Sequence, residues 1–151
     1  MLNRTHLAVI LLLIIVLFPI VPNKISFVTI ALASSIIPDV DIKNSKIGKY
    51  KIFRPLQFFT KHRGFFHCLL FMCFLILFFL NFYPAGAFAF FLGYSSHLVM
   101  DSITPEGVQF FYPYKKRISG RIKTGGRIEN LILITSIVLG ITIIILRIFK
   151  I

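Results

Sequence analysis

Two side chains with the spacing of a metal-binding pair, His97 and Asp101, end an apolar run of the chain. Side chains four residues apart lie on the same face of a helix, so the imidazole and the carboxylate could hold one cation between them. An ionisable pair at the buried end of a membrane helix is costly, which favours a functional role. Ser95 and Ser96 are expected to support the pair by hydrogen bonding. The alternative is a structural hydrogen bond that closes a helix bundle.

A second candidate pair, Asp39 and Asp41, follows Pro38 at the end of another apolar segment. The proline stops or bends a helix there, and the two carboxylates lie two residues apart. Carboxylate oxygens bind hard or borderline divalent cations readily. A plain turn with a solvated aspartate pair would explain the same residues, so this motif is weak by itself.

A third motif brings two imidazoles, His62 and His67, to the start of a further apolar segment. Gly64 lies between them and permits a backbone conformation that would turn both rings inward. Arg63 supplies a planar fork of donors that suits a phosphate or a carboxylate. The alternative is a basic helix start at the membrane surface, with both imidazoles solvated.

The composition is typical of a membrane protein rather than a soluble domain. Of the 151 residues, 57% are hydrophobic, and the mean hydropathy is +0.87. The net charge of +12 would suit nucleic acid, but basic loops in a membrane protein are first expected from orientation rules and anionic headgroups. Nucleic acid is therefore not an expected partner. Cys68 and Cys73 lie within an apolar run and imply no disulfide.

Five apolar segments predict an all-α, polytopic membrane helix bundle that forms a single domain over residues 1–151. The segments are 7–21, 25–37, 65–83, 85–100 and 131–149. Only the third and fifth approach the ~20 residues that cross a hydrocarbon core of ~30 Å. The first two form a short hairpin that either extends beyond its apolar limits or is partly re-entrant. No small-residue cleavage site follows the first segment, so we expect a retained helix rather than a signal peptide.

The basic residues predict the orientation of this bundle. If all five segments span, the N-terminus and the loops 38–64 and 101–130 share one face. All but three of the 17 Lys and Arg residues fall on that face, the exceptions being Lys24, Arg147 and Lys150. The positive-inside rule then makes the face cytoplasmic and gives the bundle two basic cytoplasmic loops. Every His and acidic residue falls on the same face, so we expect one site at the cytoplasmic rim, although polar residues avoid the bilayer centre in any case.

Together the motifs resemble the YdjM-like family of LexA-regulated inner-membrane proteins, which are classed as metal-dependent hydrolases. The resemblance covers nearly the whole chain and rests on the order and spacing of five motifs: THL at 5–7, PDVD at 38–41, HRGFFH at 62–67, GYSSHLVMDSITPEGVQFFYP at 93–113 and GGRIE at 125–129. It implies an inner-membrane location and a metal site. The polar positions of that site are His6, Asp39, Asp41, His62, His67, His97, Asp101 and Glu129.

The chain departs from the family pattern beside His67. The family usually has hydroxyl residues on both sides of this histidine, whereas Phe66 and Cys68 flank it here, which removes two possible hydrogen-bond donors. Glu129 could instead be an acid at a helix N-terminus, and Glu106, at a variable position, is left out of the metal set. The family is also similar, more loosely, to zinc-dependent phospholipases C and related nucleases, whose ligands include an HxxxD pair.

The number of candidate ligands predicts more than one metal ion. A catalytic zinc usually takes three protein ligands and a water, so eight groups exceed one site. Either two or more ions bind, with zinc expected and manganese or magnesium as alternatives, or several groups orient the others. Two ions would favour phosphoester hydrolysis by a metal-activated hydroxide, with catalytic roles for Asp101 and for Arg63, which would bind the phosphate.

The basic and aromatic loops predict the bilayer and its headgroups as partners. An anionic lipid or another phosphate-containing compound at the membrane surface is the expected substrate. The alternative is a non-catalytic membrane protein that binds or transports metal, or a scaffold for an acidic partner. Transport would require ionisable groups near the middle of the membrane, whereas here they lie at one rim.

Overall fold

A computed structural model of the chain describes residues 1–41, 49–54 and 64–149, and these residues form an all-α fold. The described residues contain five α-helices: α1 (Asn3–Leu17), α2 (Lys24–Ser34), α3 (Leu69–Phe82), α4 (Pro84–Ser102) and α5 (Arg127–Ile148). Three 3₁₀ turns lie between α2 and α3, at Ile37–Asp41, Lys51–Phe53 and Phe65–His67. The described ranges contain no strand, and an isolated β-bridge joins Val108 to Ile118 in the loop after α4. The all-α prediction is confirmed for this part of the chain.

Several helices extend beyond their apolar segments because polar residues form their ends. α1 begins at Asn3, so His6 lies within the helix near its start. The Asn23 side chain caps α2 by accepting a hydrogen bond from the Ser26 N–H at 3.2 Å. α4 continues to Ser102 and so carries Asp101 as well as His97. α5 begins at Arg127, which places Glu129 in its first turn.

The third apolar segment, predicted as one helix from residue 65, is interrupted. Phe65–His67 form a 3₁₀ turn, and Cys68 has extended backbone. The Cys68 thiol caps α3 by accepting a hydrogen bond from the Phe71 N–H at 3.4 Å. The second segment is also shorter than predicted, since α2 ends at Ser34 and Asp39 lies on the following 3₁₀ turn. Both changes put candidate ligands on turns, where their direction is set by contacts with α4.

α4 is the central helix of the described fold. It packs against α1, α2 and α3, and ten of its 19 residues are buried. Two hydrophobic clusters surround it, one with α1 and α2 (Ile10, Ile14, Val21, Phe27, Ala31, Ala89) and one with α3 and the following loop (Met72, Phe90, Tyr94, Leu98, Val108). Gly93 allows α4 to approach α2 closely, because a Cβ there would lie 2.1 Å from the Ala31 carbonyl oxygen.

Among the described helices, α5 is long and apolar enough to cross a membrane, judged by length and composition. Its 22 residues extend about 33 Å at 1.5 Å per residue, which exceeds a hydrocarbon core of ~30 Å. α1, α2 and α3 are apolar but shorter, with 15, 11 and 14 residues. The multi-pass arrangement of all five segments therefore stays a prediction.

Candidate metal centre

Five ionisable side chains converge at one end of the helix bundle. His6 comes from the start of α1, Asp39 from the 3₁₀ turn after α2, His67 from the 3₁₀ turn before α3, and His97 and Asp101 from the last turns of α4. All five are buried, with none more than 7% exposed. They form two groups, His6 with His97 and Asp101, and Asp39 with His67 and His97. Within each group, one ligand atom per residue lies within 4.8 Å of the others.

His97 is held in the tautomer that a metal ligand requires. Its Nδ1 lies 2.7 Å from the carbonyl oxygen of Ser35. A carbonyl oxygen only accepts hydrogen bonds, so Nδ1 carries the proton, and in a neutral imidazole Nε2 then offers a lone pair. Nε2 is buried and makes no hydrogen bond within the described residues. An imidazole whose Nδ1 donates to a carbonyl oxygen while its Nε2 faces other donors has the arrangement of a metal-binding histidine.

The distances between donors fit ligands of one cation better than hydrogen bonds. His97 Nε2 lies 3.5 Å from Asp39 Oδ1 and 3.7 Å from Asp101 Oδ2. His67 Nε2 also lies 3.7 Å from Asp101 Oδ2. Hydrogen bonds between such atoms are about 2.7–3.2 Å long, whereas ligands about 2.0–2.1 Å from a tetrahedral zinc are about 3.4 Å apart. Asp39, His67 and His97 therefore form one group whose donors are spaced to hold an ion, and Asp101 lies close to both imidazoles of that group.

Asp101 presents its two oxygens to different sides of the cluster. Oδ2 faces His67 and His97, whereas Oδ1 lies 3.3 Å from His6 Nε2 and 2.6 Å from the amino group of Met1. His6 stacks on His97 with ring centroids 4.2 Å apart and an interplanar angle of 12°. One imidazole nitrogen binds one ion, but a carboxylate can bridge two. On the His6 side, His6 and Asp101 are the residues that would hold a second cation in place of the Met1 amino group.

Asp101 is ionised in this environment. Burial by itself would raise the pKa of the carboxyl group, but a hydrogen bond from His6 and electrostatic interactions with His97 and the Met1 amino group hold the pKa of Asp101 well below its usual range. The ionised carboxylate accepts hydrogen bonds only and is the form that binds a cation.

Glu129 lies near this cluster but is not one of its converging donors. Its Oε1 accepts hydrogen bonds from the Leu2 N–H at 2.7 Å and the Thr5 hydroxyl at 2.8 Å, and its Oε2 accepts one from the Gly125 N–H at 2.6 Å. These donors engage both oxygens of a fully buried side chain. The geometry therefore assigns Glu129 to positioning the start of α1, which carries His6, and differs from its predicted role as a ligand.

Three predicted site residues have no described side chain. His62 and Arg63 lie outside the described residues, and only the backbone of Asp41 is described, at the end of its 3₁₀ turn. The predicted pairing of His62 with His67 and the phosphate contact of Arg63 stay predictions.

The contacts that position the cluster include several that the sequence reasoning missed. Ser95 and Ser96, expected to support His97, donate instead to carbonyls of their own helix, and the support comes from the Ser35 carbonyl. A short hydrogen bond from the Tyr94 hydroxyl to the Phe66 carbonyl fixes the turn that carries His67. A backbone carbonyl leaves no signal in a sequence, but a tyrosine one turn before the histidine of HxxxD was a signal that could have been used.

A small cavity opens beside the cluster. Its volume is about 50 Å³, and His6, Asp39, His97 and Ser35 contribute to its lining. One water takes up about 30 Å³ of liquid volume, so the cavity has room for about one or two water-sized groups. A compound larger than this would not fit inside the cavity and would have to reach the cluster from the protein surface.

Comparisons with known proteins agree with the motifs. A family model described as "YdjM inner membrane protein" matches residues 1–149. The chain is 35% identical over 96 residues to the inner membrane protein YdjM of Escherichia coli (strain K12), and the same values hold for that of Shigella flexneri. Those alignments cover 58% of this chain and 49% of each relative, so the chain spans about half the length of these relatives.

A Bacillus subtilis (strain 168) protein, YvsG, is 36% identical over 110 residues, with 66% of each chain covered. No solved structure matches the chain. The family match extends over all but the last two residues, and it confirms the resemblance predicted from the five motifs. The chain belongs to the YdjM inner membrane protein family.

Proposed function

We propose that this inner-membrane protein is a metal-dependent hydrolase that cleaves phosphoester bonds in a lipid or another substrate at the headgroup level. One observation carries the proposal: Asp39, His67 and His97 are buried together with ligand atoms close enough to hold one cation, and Asp101 Oδ2 lies 3.7 Å from both imidazoles. The tautomer of His97 supports it, because the hydrogen bond to Ser35 directs the basic nitrogen into the cluster.

The donor types favour zinc, with manganese or magnesium as alternatives. Two imidazoles with two carboxylates suit zinc, whereas magnesium prefers oxygen ligands only. When bound, zinc lowers the pKa of a coordinated water to ~7 and polarises a phosphoryl oxygen. The residues of the chain have separate tasks around it. His67, His97 and Asp39 would hold the ion, Asp101 would serve both this side and the His6 side, and Ser35 orients the His97 ring.

The charge of the loop between α4 and α5 favours a phosphate-containing substrate. α4 ends and α5 begins at the cluster, and the loop that joins them carries the exposed basic residues Lys115, Lys116 and Arg117. Basic residues at a membrane surface attract anionic headgroups at about 1 kcal/mol per charge. By the positive-inside rule the site faces the cytoplasm, and Arg63 is the proposed phosphate ligand.

Metal content is the first test. Protein purified without chelators is expected to retain ~1–2 zinc or manganese ions per chain, measured by inductively coupled plasma mass spectrometry. His97→Ala and Asp39→Asn are expected to lose the ion. Ser136→Ala is the matched control, since Ser136 is a buried polar residue of α5 that donates to the Ile132 carbonyl of its own helix. A folded wild-type protein that binds no metal would refute the proposal.

Turnover is the second test, and it separates a hydrolase from a non-catalytic metal-binding protein. Metal-reconstituted protein is screened against phosphomonoesters, phosphodiesters and phospholipids of defined headgroup. Asp101→Asn is expected to lower turnover by at least about 100-fold. Changes to residues that only orient the ligands already cost up to about 100-fold, so the loss of a ligand should cost at least as much. Stoichiometric metal without turnover on any of these substrates would favour metal binding or transport instead.

A further inference from the structure

An apolar groove lies between α3 and the aromatic loop that follows α4. Its volume is about 920 Å³, near the upper end of the ~300–1,000 Å³ of small-molecule sites. One wall is a face of α3 that includes Leu70, Phe74 and Leu77, and the other wall is formed by residues 110–114. The wall side chains are hydrophobic or aromatic, so the groove suits a hydrocarbon chain rather than a polar compound.

One end of the groove adjoins the turn that carries His67. Phe65 lines that end and packs against Tyr112 of the opposite wall, with ring centroids 6.2 Å apart. The Leu69 N–H donates a hydrogen bond to the Phe110 carbonyl at 2.9 Å, which ties the two walls together. From this end the groove follows α3 toward Leu77, away from the metal centre.

Three basic residues follow the groove wall within five residues of Tyr112, which packs on Phe65. Tyr114 of the groove wall is followed at once by Lys115, Lys116 and Arg117, all of them exposed. Tyrosines with an apolar ring and a polar hydroxyl are typical of the membrane interface. An apolar groove whose aromatic wall continues into a basic segment is complementary to an amphiphile with an anionic head and a hydrocarbon tail.

We propose that the groove binds an acyl chain of an anionic phospholipid. The chain lies along α3 toward Leu77, and the phosphate lies against residues 115–117, next to the His67 turn. This inference rests on the proposed function, because it names the substrate class and the end from which the phosphoester reaches the metal centre. It extends that proposal from a ligand cluster to a surface that selects lipids by charge.

The experiment uses the full chain in phosphatidylcholine nanodiscs that contain phosphatidylglycerol with a photoactivatable diazirine in its acyl chain. After illumination, peptide mass spectrometry is expected to find more labelling in residues 69–77 than in residues 137–145. The second segment is a matched reference, since it lies on α5 and exposes Ile137, Val138, Leu139, Ile141, Ile144 and Ile145. Cys73→Trp is expected to fill the groove and abolish the excess. Leu80→Trp, on the same helix and outside the groove wall, is expected to preserve it.

The charge dependence is tested with the same lipid chain on phosphatidylcholine. Labelling of residues 69–77 is expected to favour phosphatidylglycerol, and Lys116→Gln is expected to reduce that preference about fivefold. Lys24→Gln serves as the control, because Lys24 begins α2 at the opposite end of the bundle. Equal labelling by the two lipids would refute the anionic selectivity.

Two other results would overturn the groove itself. Equal labelling of the two segments, unaffected by Cys73→Trp, would mean that α3 is an ordinary lipid-facing surface. Protein–protein cross-links at residues 69–77 would mean that a second copy occupies the groove. The groove does not require the ion, so labelling is expected to persist in His97→Ala. Metal binding without groove labelling would therefore refute only this inference, and groove labelling without metal would refute only the proposed hydrolase.

Discussion

Gly93→Ala is expected to weaken metal binding although Gly93 is not a ligand. Gly93 lies where α4 packs against α2, and a Cβ there would be 2.1 Å from both the Ala31 carbonyl oxygen and the Ser34 hydroxyl oxygen. The Ser34 side chain can rotate, but the Ala31 carbonyl is fixed in the helix backbone. The helices must therefore separate, and Ser35, whose carbonyl holds His97, moves with α2.

The size of the effect follows from these distances. Ordinary non-bonded contacts are about 3.5 Å, so the helices must separate by about 1.4 Å to relieve a contact of 2.1 Å. The 2.7 Å hydrogen bond from His97 to the Ser35 carbonyl would then exceed the usual limit of about 3.2 Å. Loss of such an orienting partner typically costs about 10–100-fold in metal affinity. Overpacking costs about 1–3 kcal/mol of stability, which the higher helix propensity of alanine offsets by up to about 1 kcal/mol.

Zinc affinity is measured by competition with a chelating dye in detergent, and stability by thermal unfolding without zinc. Gly140→Ala is the matched control, because a Cβ there meets only the end of the flexible Ile15 side chain at 3.3 Å. The control is expected to keep wild-type affinity and to have a melting temperature no lower than that of the wild type, since alanine also raises the helix propensity there. If Gly93→Ala also kept both, the contact between α2 and α4 would not position His97, and the reasoning would be wrong.

Three further changes are expected to have separable effects. Glu129→Gln weakens the hydrogen bonds that hold the start of α1, and it should cost about 1–3 kcal/mol of unfolding free energy in a denaturant titration. Zinc affinity measured with the dye should fall because His6 shifts with the start of α1, but zinc should still bind. Complete loss of zinc would mean that Glu129 is a direct ligand. Tyr94→Phe removes the hydrogen bond to the Phe66 carbonyl and should cost a similar amount, whereas an unchanged melting temperature would mean that other contacts hold the His67 turn. Chelation should destabilise the wild type by about 2.7 kcal/mol when zinc had been present at 100 times its Kd, and it should not affect His97→Ala. An equal loss of stability in the wild type and in His97→Ala would mean that the chelator acts at a site other than this cluster.

The sequence predicts the helices better than their ends. Apolar runs of 13 to 19 residues separated by proline or polar residues are strong helix signals, and α4 and α5 begin or end within a few residues of their segments. The interruption at Cys68 has no comparable signal, because the run from Cys68 to Leu80 is apolar and contains no proline or glycine. Tertiary contacts decide it, through the Tyr94 hydroxyl at the Phe66 carbonyl and the Leu69 N–H at the Phe110 carbonyl.

The candidate site divides in the same way. Residue type and a shared face of the bundle are enough to nominate His6, Asp39, His67, His97 and Asp101, which the structure brings together. The sequence left the role of Glu129 open between a metal ligand and an acid at a helix N-terminus, and the structure places it in the first turn of α5. A buried glutamate that accepts two backbone N–H bonds and one that binds a metal look identical in a sequence. Which of them occurs depends on where the backbone of α1 begins.

The negative charge of the cluster favours a divalent cation. Asp39 and Asp101 bring two carboxylates into a site where neither residue is more than 7% exposed. Burying an ionised carboxylate is costly unless opposite charge compensates it. The Met1 amino group brings one positive charge, but it lies at Oδ1 of Asp101, on the His6 side. A cation at Oδ2, on the opposite side, would bring positive charge to Asp39 as well, since both carboxylates approach His97 Nε2 there.

Protonated imidazoles would be a poor source of that compensation. His6 and His97 are stacked 4.2 Å apart, where two positive rings would repel each other. A proton on His97 Nε2 would also have to point at oxygens 3.5 and 3.7 Å away, too distant for good hydrogen bonds. A divalent ion between the same atoms supplies two charges at once and leaves the imidazoles neutral. The cluster is therefore better suited to hold a metal ion than to store protons, which is why metal content is the measurement on which the proposed function depends first.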